Sequence, residues 1–372
     1  MNVEVSPDGW VCWPDREDLS VEFMRLLAGA QEGGSTVSEC WLAASRVDPS
    51  DDESWYREWN AIAEANSARA AAALSKGHVA TARHNWLRAM NYYQAAACPI
   101  DLSEELRHAA VAAMRTCAVN YLHHRQPAGE VVSIPWLDEF PLQGYFLPPR
   151  TTTGRAPTVI CIGEPGHRKE EFLSKLTRHA CERGIALLAV DLLGEGTGAR
   201  IEEIVRRHKL ESAIERIVDY LVDRDDVDTD RIAILGDNWS SSFVARGIAF
   251  DQRFAAAVCD GGIWDAHEQA FIRKRVLADG GDIERNWDTN RLLRTIRCPV
   301  LVTVGEKGWL ESNRVGELTN QIRAEDQDLT LKIFRECETA AAQGHLDNPT
   351  LANEFIFDWI ASRLQEVRPR QV

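Results

Sequence analysis

No stretch of this chain approaches the ~20 consecutive apolar residues that cross a bilayer, so a membrane-spanning helix is not expected. Positive charge is scarce as well: 42 Lys and Arg against 57 Asp and Glu leave a formal net charge of −15 over 372 residues. A chain this acidic gains no counterion release from phosphates, which argues against nucleic acid as a partner. The same deficit disfavours an anionic membrane surface. Residues Met1 to Asp18 carry acids and lack the basic-then-apolar order of a secretory signal. The nine cysteines are scattered, with no C-x-x-C pair, and read as reduced thiols of a cytoplasmic protein.

Cofactor signatures are missing too. His123-His124 has no acidic or thiolate companion at ligand spacing and reads as a solvated helix end, so no zinc site is expected. Gly194-Glu195-Gly196-Thr197-Gly198 follows a strand, but its spacing is not that of a dinucleotide loop. Asp226-Val227-Asp228-Thr229-Asp230 begins like a calcium loop. It then has Arg231 where the turn needs Gly, and Asp237 where the last ligand should be Glu. The expectation is a protein without metal, flavin or nicotinamide.

What is present looks globular: 45% hydrophobic and 27% charged residues. The length exceeds what one core usually organises, which points to a main domain plus an accessory one. Twelve tryptophans read first as large core residues, with some rings as candidates for lining a pocket. Trp55, Trp59, Ile62 and Ala65 recur at helical spacing behind Asp51, Asp52 and Glu53, and Gly77 should stop that helix. A second helix carries Val79, Ala82, Trp86, Met90 and Tyr93 on one face. A third starts near Asp101 and runs through Val111, Met114 and Ala118. No second copy of this helical pair appears, so a repeat architecture is excluded.

The pattern changes after Pro127. Residues 130–134 and 142–147 read as short strands, closed by Pro148-Pro149. Apolar strands at 158–162, 186–190, 232–235, 255–259, 300–304 and 329–334 then alternate with amphipathic helices, one of which bears Ile214, Ile217, Val218 and Leu221. This is the pattern of a parallel sheet covered on both faces, an α/β domain. The expected organisation is a helical segment over 1–127 and an α/β domain over 128–372, with 264–293 as a candidate lid.

Arg231-Ile232-Ala233-Ile234-Leu235-Gly236-Asp237-Asn238-Trp239-Ser240-Ser241 is a strand running into a helix through a tight turn. That segment resembles the nucleophile elbow of the α/β-hydrolases. Other pieces resemble the same fold in the same order. Gly163-Glu164-Pro165-Gly166, with Lys169-Glu170-Glu171, is similar to the loop carrying half of the oxyanion hole. Asp191-Leu192-Leu193-Gly194-Glu195-Gly196 is similar to the turn after the following strand, and Gly344-His345 stands where the catalytic histidine belongs. Trp55-Tyr56-Arg57-Glu58-Trp59, Arg88-Ala89-Met90-Asn91-Tyr92-Tyr93 and Ile134-Pro135-Trp136 narrow the resemblance to the group with an N-terminal helical cap. That group includes 2,6-dihydroxypseudooxynicotine hydrolase and the chain-shortening hydrolases of fungal naphthopyrone pigments. The resemblance runs from about Trp55 to Leu364. It implies a mostly parallel eight-stranded sheet with helices on both faces, and cleavage of C–C or ester bonds beside a carbonyl.

Against that pattern the nucleophile position holds Asn238, and an amide forms no useful acyl-enzyme. Ser240, Ser241 and Ser242 lie in the first helical turn, where a relocated nucleophile remains an alternative. Gly308 stands where the resemblance has the acid, leaving Asp260 or Glu306 to orient His345. Pro165, at or beside an expected oxyanion donor, has no N–H to give. The catalytic candidates are therefore His345, Asn238, Asp260 and Glu306. The substrate and oxyanion candidates are Trp239 (by its backbone N–H), Glu164, Gly163, Trp264 and Trp86. The pocket is expected between the segment Trp86–Tyr93 and the elbow. The leading expectation is a carbonyl-bearing small metabolite, aromatic or polyketide-like, handled by non-covalent proton transfer. A hydrolase using water activated by His345, and a non-catalytic binding protein, are the rivals. A homodimer stays open.

Overall fold

The computed structural model describes residues 4–6, 9–99, 101–137, 140–150, 154–163, 168–192, 210–262, 295–308, 313, 315–317, 320 and 328–366. The chain divides into two compact units. One comprises Met1–Glu130, Glu170–Arg178 and Leu346–Thr350; the other comprises Val131–Lys169, His179–His345 and Leu351–Val372.

The first unit is helical. After a short hairpin, β1 (Glu4–Ser6) and β2 (Gly9–Val11), come α1 (Glu17–Ala28), α2 (Val37–Ala44), α3 (Asp52–Ser75), α4 (Val79–Ala96) and α5 (Glu104–His123). Asp51 caps α3 by accepting from the Glu53 N–H, and Gly77 beyond its end takes φ +75°, the left-handed value that terminates a helix without a Cβ clash. From Asn85 to Ala96 nearly every residue of α4 is buried, so this is the central helix of the unit. Val79 departs from its expected buried face; it sits in the first turn and is 38% exposed.

Among the described residues Trp55, Trp59 and Trp86 are buried in the core, while Trp13, Trp41, Trp136 and Trp359 are half-buried. Trp13, Phe23, Trp41, Trp55, Trp59 and Tyr92 form a chain of ring contacts with centroids 5.1–5.9 Å apart. The Trp55 Nε1–H donates to the Ala95 carbonyl at 2.7 Å and so ties α3 to α4. Such rings bury large apolar area, and each geometrically favourable pair adds roughly 0.5–1.5 kcal/mol beyond that burial. Glu39 on α2 accepts from Asn66 and Arg69 of α3, Tyr92 of α4 and the α2 cap Thr36, which satisfies a half-buried carboxylate.

The second unit is built on one eight-stranded sheet: β3 (Glu130–Leu137), β4 (Phe140–Leu147), β5 (Ala156–Ile162), β6 (Ala186–Asp191), β7 (Val227–Asp237), β8 (Ala256–Asp260), β9 (Val300–Gly305) and β10 (Leu329–Phe334). The strand order is β10-β9-β8-β7-β5-β6-β4-β3. Strands β5 to β10 pair in parallel, and β4 runs antiparallel to β6. The central strands are buried along their length because helices cover the sheet, which is why their sequences are apolar rather than alternating. Ile214, Ile217, Val218 and Leu221 of the helix Leu210–Val222 are fully buried, worth roughly 1.5–3 kcal/mol each. Strand β7 begins earlier than its apolar run suggests, taking Asp228 and Asp230 into the sheet, where Asp228 pairs with Arg231. The rejected calcium loop is thus the start of a strand. Among the described residues no helix is long and apolar enough to cross a membrane.

Candidate active site

Strand β7 ends at Asp237 and passes through a single tight turn, Asn238–Ser240, into the helix Ser241–Phe250. Asn238 at the tip has φ +54°, a left-handed conformation that asparagine tolerates better than most residues. The turn closes only because residue 236 is glycine: a Cβ there would stand 2.8 Å from both the Ser240 carbonyl oxygen and Val244 Cγ2. The serines behind the tip are committed to the backbone. Ser240 Oγ donates to the Ile162 and Asp237 carbonyls, and Ser241 Oγ to those of Asp260 and Gly236, with both side chains fully buried. In this arrangement Ser240 and Ser241 hold the elbow together and are not available as a relocated nucleophile.

Asp260 ends β8, in register with Asp237 on one side and Thr303 on the other. Its Oδ1 accepts from the Thr303 hydroxyl at 2.7 Å and faces His345 Nε2 at 2.8 Å. His345 Nδ1 lies 2.6 Å from the Ala340 carbonyl. A carbonyl only accepts, so Nδ1 carries a hydrogen. Nε2 against a carboxyl oxygen then requires a further proton between them, as an imidazolium–carboxylate or a neutral imidazole–carboxylic acid pair. His345 and Asp260 are 2% and 4% exposed, so the pair is largely withdrawn from bulk water. The Phe334 ring meets the imidazole edge-on at 4.8 Å.

Glu306, the other acid considered for His345, is engaged elsewhere. It is exposed, accepts from the Glu336 N–H at 2.8 Å and pairs with Arg335, because it lies one residue past the buried end of β9. Of the two candidates it is Asp260, at a buried strand end, that meets the histidine.

The Asn238 carboxamide is itself held. Gln343 Nε2–H donates to Asn238 Oδ1 at 2.6 Å, and among the described residues nothing accepts from Asn238 Nδ2. A small recess, with room for about one water, is lined by Asp260, Gly261, Val304, Gly305, Gly308, Gln343, Gly344 and His345. The loop beside it is backbone-strained: Thr339, Ala340 and His345 all have positive φ, a concentration typical of functional loops, and Gly344 takes the same region without a Cβ. Lys169, the first residue of the helix Lys169–Lys175, donates by its backbone N–H and its ammonium to the two oxygens of the largely shielded Asp191 carboxylate at the end of β6, at 2.6 and 2.7 Å.

The profile of the family described as "Esterase FrsA-like" matches residues 49–271. The chain belongs to the FrsA-like esterase family. It has the α/β-hydrolase fold and is a hydrolase-like enzyme. Among its relatives is the hydrolyase poxO of Penicillium oxalicum, 27% identical over 319 residues, spanning 83% of this chain and 70% of that protein. Another is the 20-hydroxy-prefusarin hydrolase FUS2 of Gibberella moniliformis, 29% identical over 260 residues, spanning 65% of this chain and 60% of that one. In structure the chain is similar to 2,6-dihydroxy-pseudo-oxynicotine hydrolase, with a TM-score of 0.74 at 17% identity over 91% of this chain and 95% of that one. That last likeness speaks for the fold.

Of the other expected site residues of this FrsA-like chain, Trp86, Gly163 and Trp239 are among the described residues. Trp86 is buried in the helical unit, its ring 4.8 Å from that of His124. His124 is therefore not simply solvated at its helix end. Gly163 closes β5 and is half-buried. The backbone of Trp239 forms the middle of the elbow turn. Glu164, Pro165, Gly166, Trp264 and the candidate lid 264–293 lie outside the described residues. Sequence reasoning missed Gln343 and Thr303. Thr303 had a signal, a hydroxyl in the apolar strand Val300-Leu301-Val302-Thr303-Val304. Gln343, two residues before the histidine, had only its polarity. Among the described residues no group of three or more His, Cys, Asp or Glu side chains could hold a metal ion.

Proposed function

We propose that this enzyme moves protons around the carbonyl of a small metabolite, aromatic or polyketide-like, without forming an acyl-enzyme. Cyclisation, elimination, isomerisation and C–C cleavage all fall within that chemistry. The observation that carries the reading is the His345–Asp260 contact, a buried pair with a shared proton, in the same unit as an elbow whose tip is an amide. Asn238 Nδ2 and the Trp239 backbone N–H hold the carbonyl oxygen as negative charge develops on it. The resting pair is an acid: it gives its proton to the departing or rearranging group and recovers one when the product forms. Thr303, by its hydrogen bond to Asp260 Oδ1, and Ala340, by its carbonyl, fix the pair's orientation. The substrate is a diffusible molecule of the cytoplasm, and the reaction needs no cofactor.

A second reading is hydrolysis of an ester or C–C bond by water. It is favoured by the recess, which has room for about one water and is lined by both Asp260 and His345. The names of the relatives point the same way. Turnover of candidate 1,3-dicarbonyl, lactone and aryl ketone substrates in isotopically labelled water separates the two. Product without the water oxygen supports proton transfer, and stoichiometric incorporation supports hydrolysis. His345→Ala and Asn238→Ala should each cost roughly 10²–10⁴-fold in turnover while remaining folded. Full activity in both variants would place the chemistry away from this elbow.

A further inference from the structure

Gln343 belongs to no motif that the sequence offered, yet it links two of the positions at which this chain departs from a Ser–His–Asp hydrolase. Its Nε2–H donates to Asn238 Oδ1 at 2.6 Å. Its Oε1 lies over Gly308, where a Cβ would stand 3.0 Å away, inside ordinary contact distance. An acid at 308 would therefore push against the space the Gln343 carboxamide now uses. On the other side, a Cβ at residue 344 would come within 2.8 Å of Asn238 Nδ2, so Gly344 keeps that edge of the amide uncrowded. The loop is docked through its backbone as well, with the Lys307 N–H donating to the Ala341 carbonyl at 2.8 Å.

A carboxamide has nearly the same shape either way round, and its hydrogen-bond partners decide which edge carries the N–H groups. In this structure Gln343 presents its donor edge, Nε2–H, to Asn238 Oδ1. The edge left over is Nδ2, a donor with no acceptor among the described residues. We propose that Gln343 is a positioning residue that fixes the Asn238 carboxamide with its N–H edge available to a substrate oxygen, and that glycine at 308 is what admits it. This rests on the reading in which Asn238 holds a carbonyl. It makes Asn238 and Gly308 one linked change, joined by Gln343, rather than two separate losses.

The test is Gln343→Glu. While its new carboxyl is protonated, the variant donates to Asn238 Oδ1 as glutamine does; once ionised, that carboxylate accepts from Nδ2 and turns the amide over. In protein labelled with 15N-asparagine, the Asn238 side-chain signal is assigned by its loss in Asn238→Asp. It should titrate in Gln343→Glu with one extra step in the ordinary carboxyl range, absent from the wild type. His345, Asp260, Asp237, Glu306 and Lys307 face or flank the same loop in both proteins, so the difference between the two titrations is the readout. The probe pentane-2,4-dione should shift the signal in the wild type and in the protonated variant. Its apparent affinity should fall roughly tenfold once the introduced carboxyl ionises, the worth of about one hydrogen bond. If the variant's signal follows the wild type at every pH, the positioning role is wrong. If Gln343→Glu does not fold, Gly308→Ala should displace the Gln343 carboxamide and shift the same signal, and an unchanged spectrum there overturns the proposal. If the extra titration appears but pentane-2,4-dione leaves the wild-type signal unmoved, Gln343 positions the amide and the carbonyl-holding reading fails.

Discussion

Removing the Asp260 carboxylate is the sharpest perturbation of the site. In Asp260→Ala, His345 Nε2 loses the carboxyl oxygen it faces while Nδ1 stays against the Ala340 carbonyl, in a place only 2% exposed. The Thr303 hydroxyl loses that acceptor as well. Breaking a buried pair by taking one partner costs about 3–5 kcal/mol, because the remaining group is left desolvated. At roughly 2–4 °C per kcal/mol for a domain of this size, the melting temperature should drop by about 6–20 °C. Asp260→Asn is the informative contrast. Its amide can donate to Nε2 of a neutral imidazole, so the fold should lose only about 1 kcal/mol. It also removes the shared proton, and turnover should fall roughly 10²–10⁴-fold. Denaturant unfolding at neutral pH measures the first quantity. A cycle of Asp260→Ala, His345→Ala and the double variant measures the coupling, expected at about 0.5–3 kcal/mol. An Asp260→Ala protein within about 1 kcal/mol of wild type, together with additive single variants, would refute the buried shared-proton pair.

Gly236→Ala should destabilise by about 1–3 kcal/mol, read by thermal unfolding, since its methyl would lie 2.8 Å from the Ser240 carbonyl oxygen and Val244 Cγ2. Lys169→Met removes the ammonium from Asp191 Oδ2 while the residue-169 N–H stays on Oδ1, and should cost about 1–3 kcal/mol by the same measurement, with Asp191→Asn in the double variant restoring part of it. The Glu39 carboxyl is raised by desolvation, but the hydrogen bonds from Arg69, Asn66 and Tyr92 outweigh this and hold its pKa below the ordinary 4.5. A depressed folded pKa means that the unfolded state binds the proton first. Its stabilisation is therefore present above the unfolded value and lost as the pH falls through the folded one. Glu39→Gln should accordingly be less stable than wild type at neutral pH and lose less stability on acidification, which urea titrations at two pH values would check.

The periodicity of apolar residues was enough to read most of the architecture. Residues 158–162, 186–190 and 300–304 are strands because they are apolar on both faces, and the sheet buries both. The α3 cap at Asp51 and the stop at Gly77 were visible because capping is local chemistry. Helices α1 and α2 escaped notice: their apolar residues are spaced among polar ones, and tertiary packing supplies what propensity does not. In the site, the elbow at Asn238 was legible because strand, turn and helix are consecutive in sequence.

Local pattern therefore determined the sheet strands and helices α3 to α5, their order, the elbow and the residue types on hand for chemistry. Which of those residues meet was decided by the sheet. Asp260 and Glu306 are equivalent in sequence as acids near strand ends. Asp260 meets His345 because parallel pairing sets it beside Thr303 at a buried edge, while Glu306, past its strand end, reaches Arg335 at the surface. Gln343 meets Asn238 across 105 positions of chain, a distance over which composition and spacing carry no information. The direction of the Asn238 amide, and the proton between His345 and Asp260, follow from hydrogen-bond partners that only the folded backbone brings within reach.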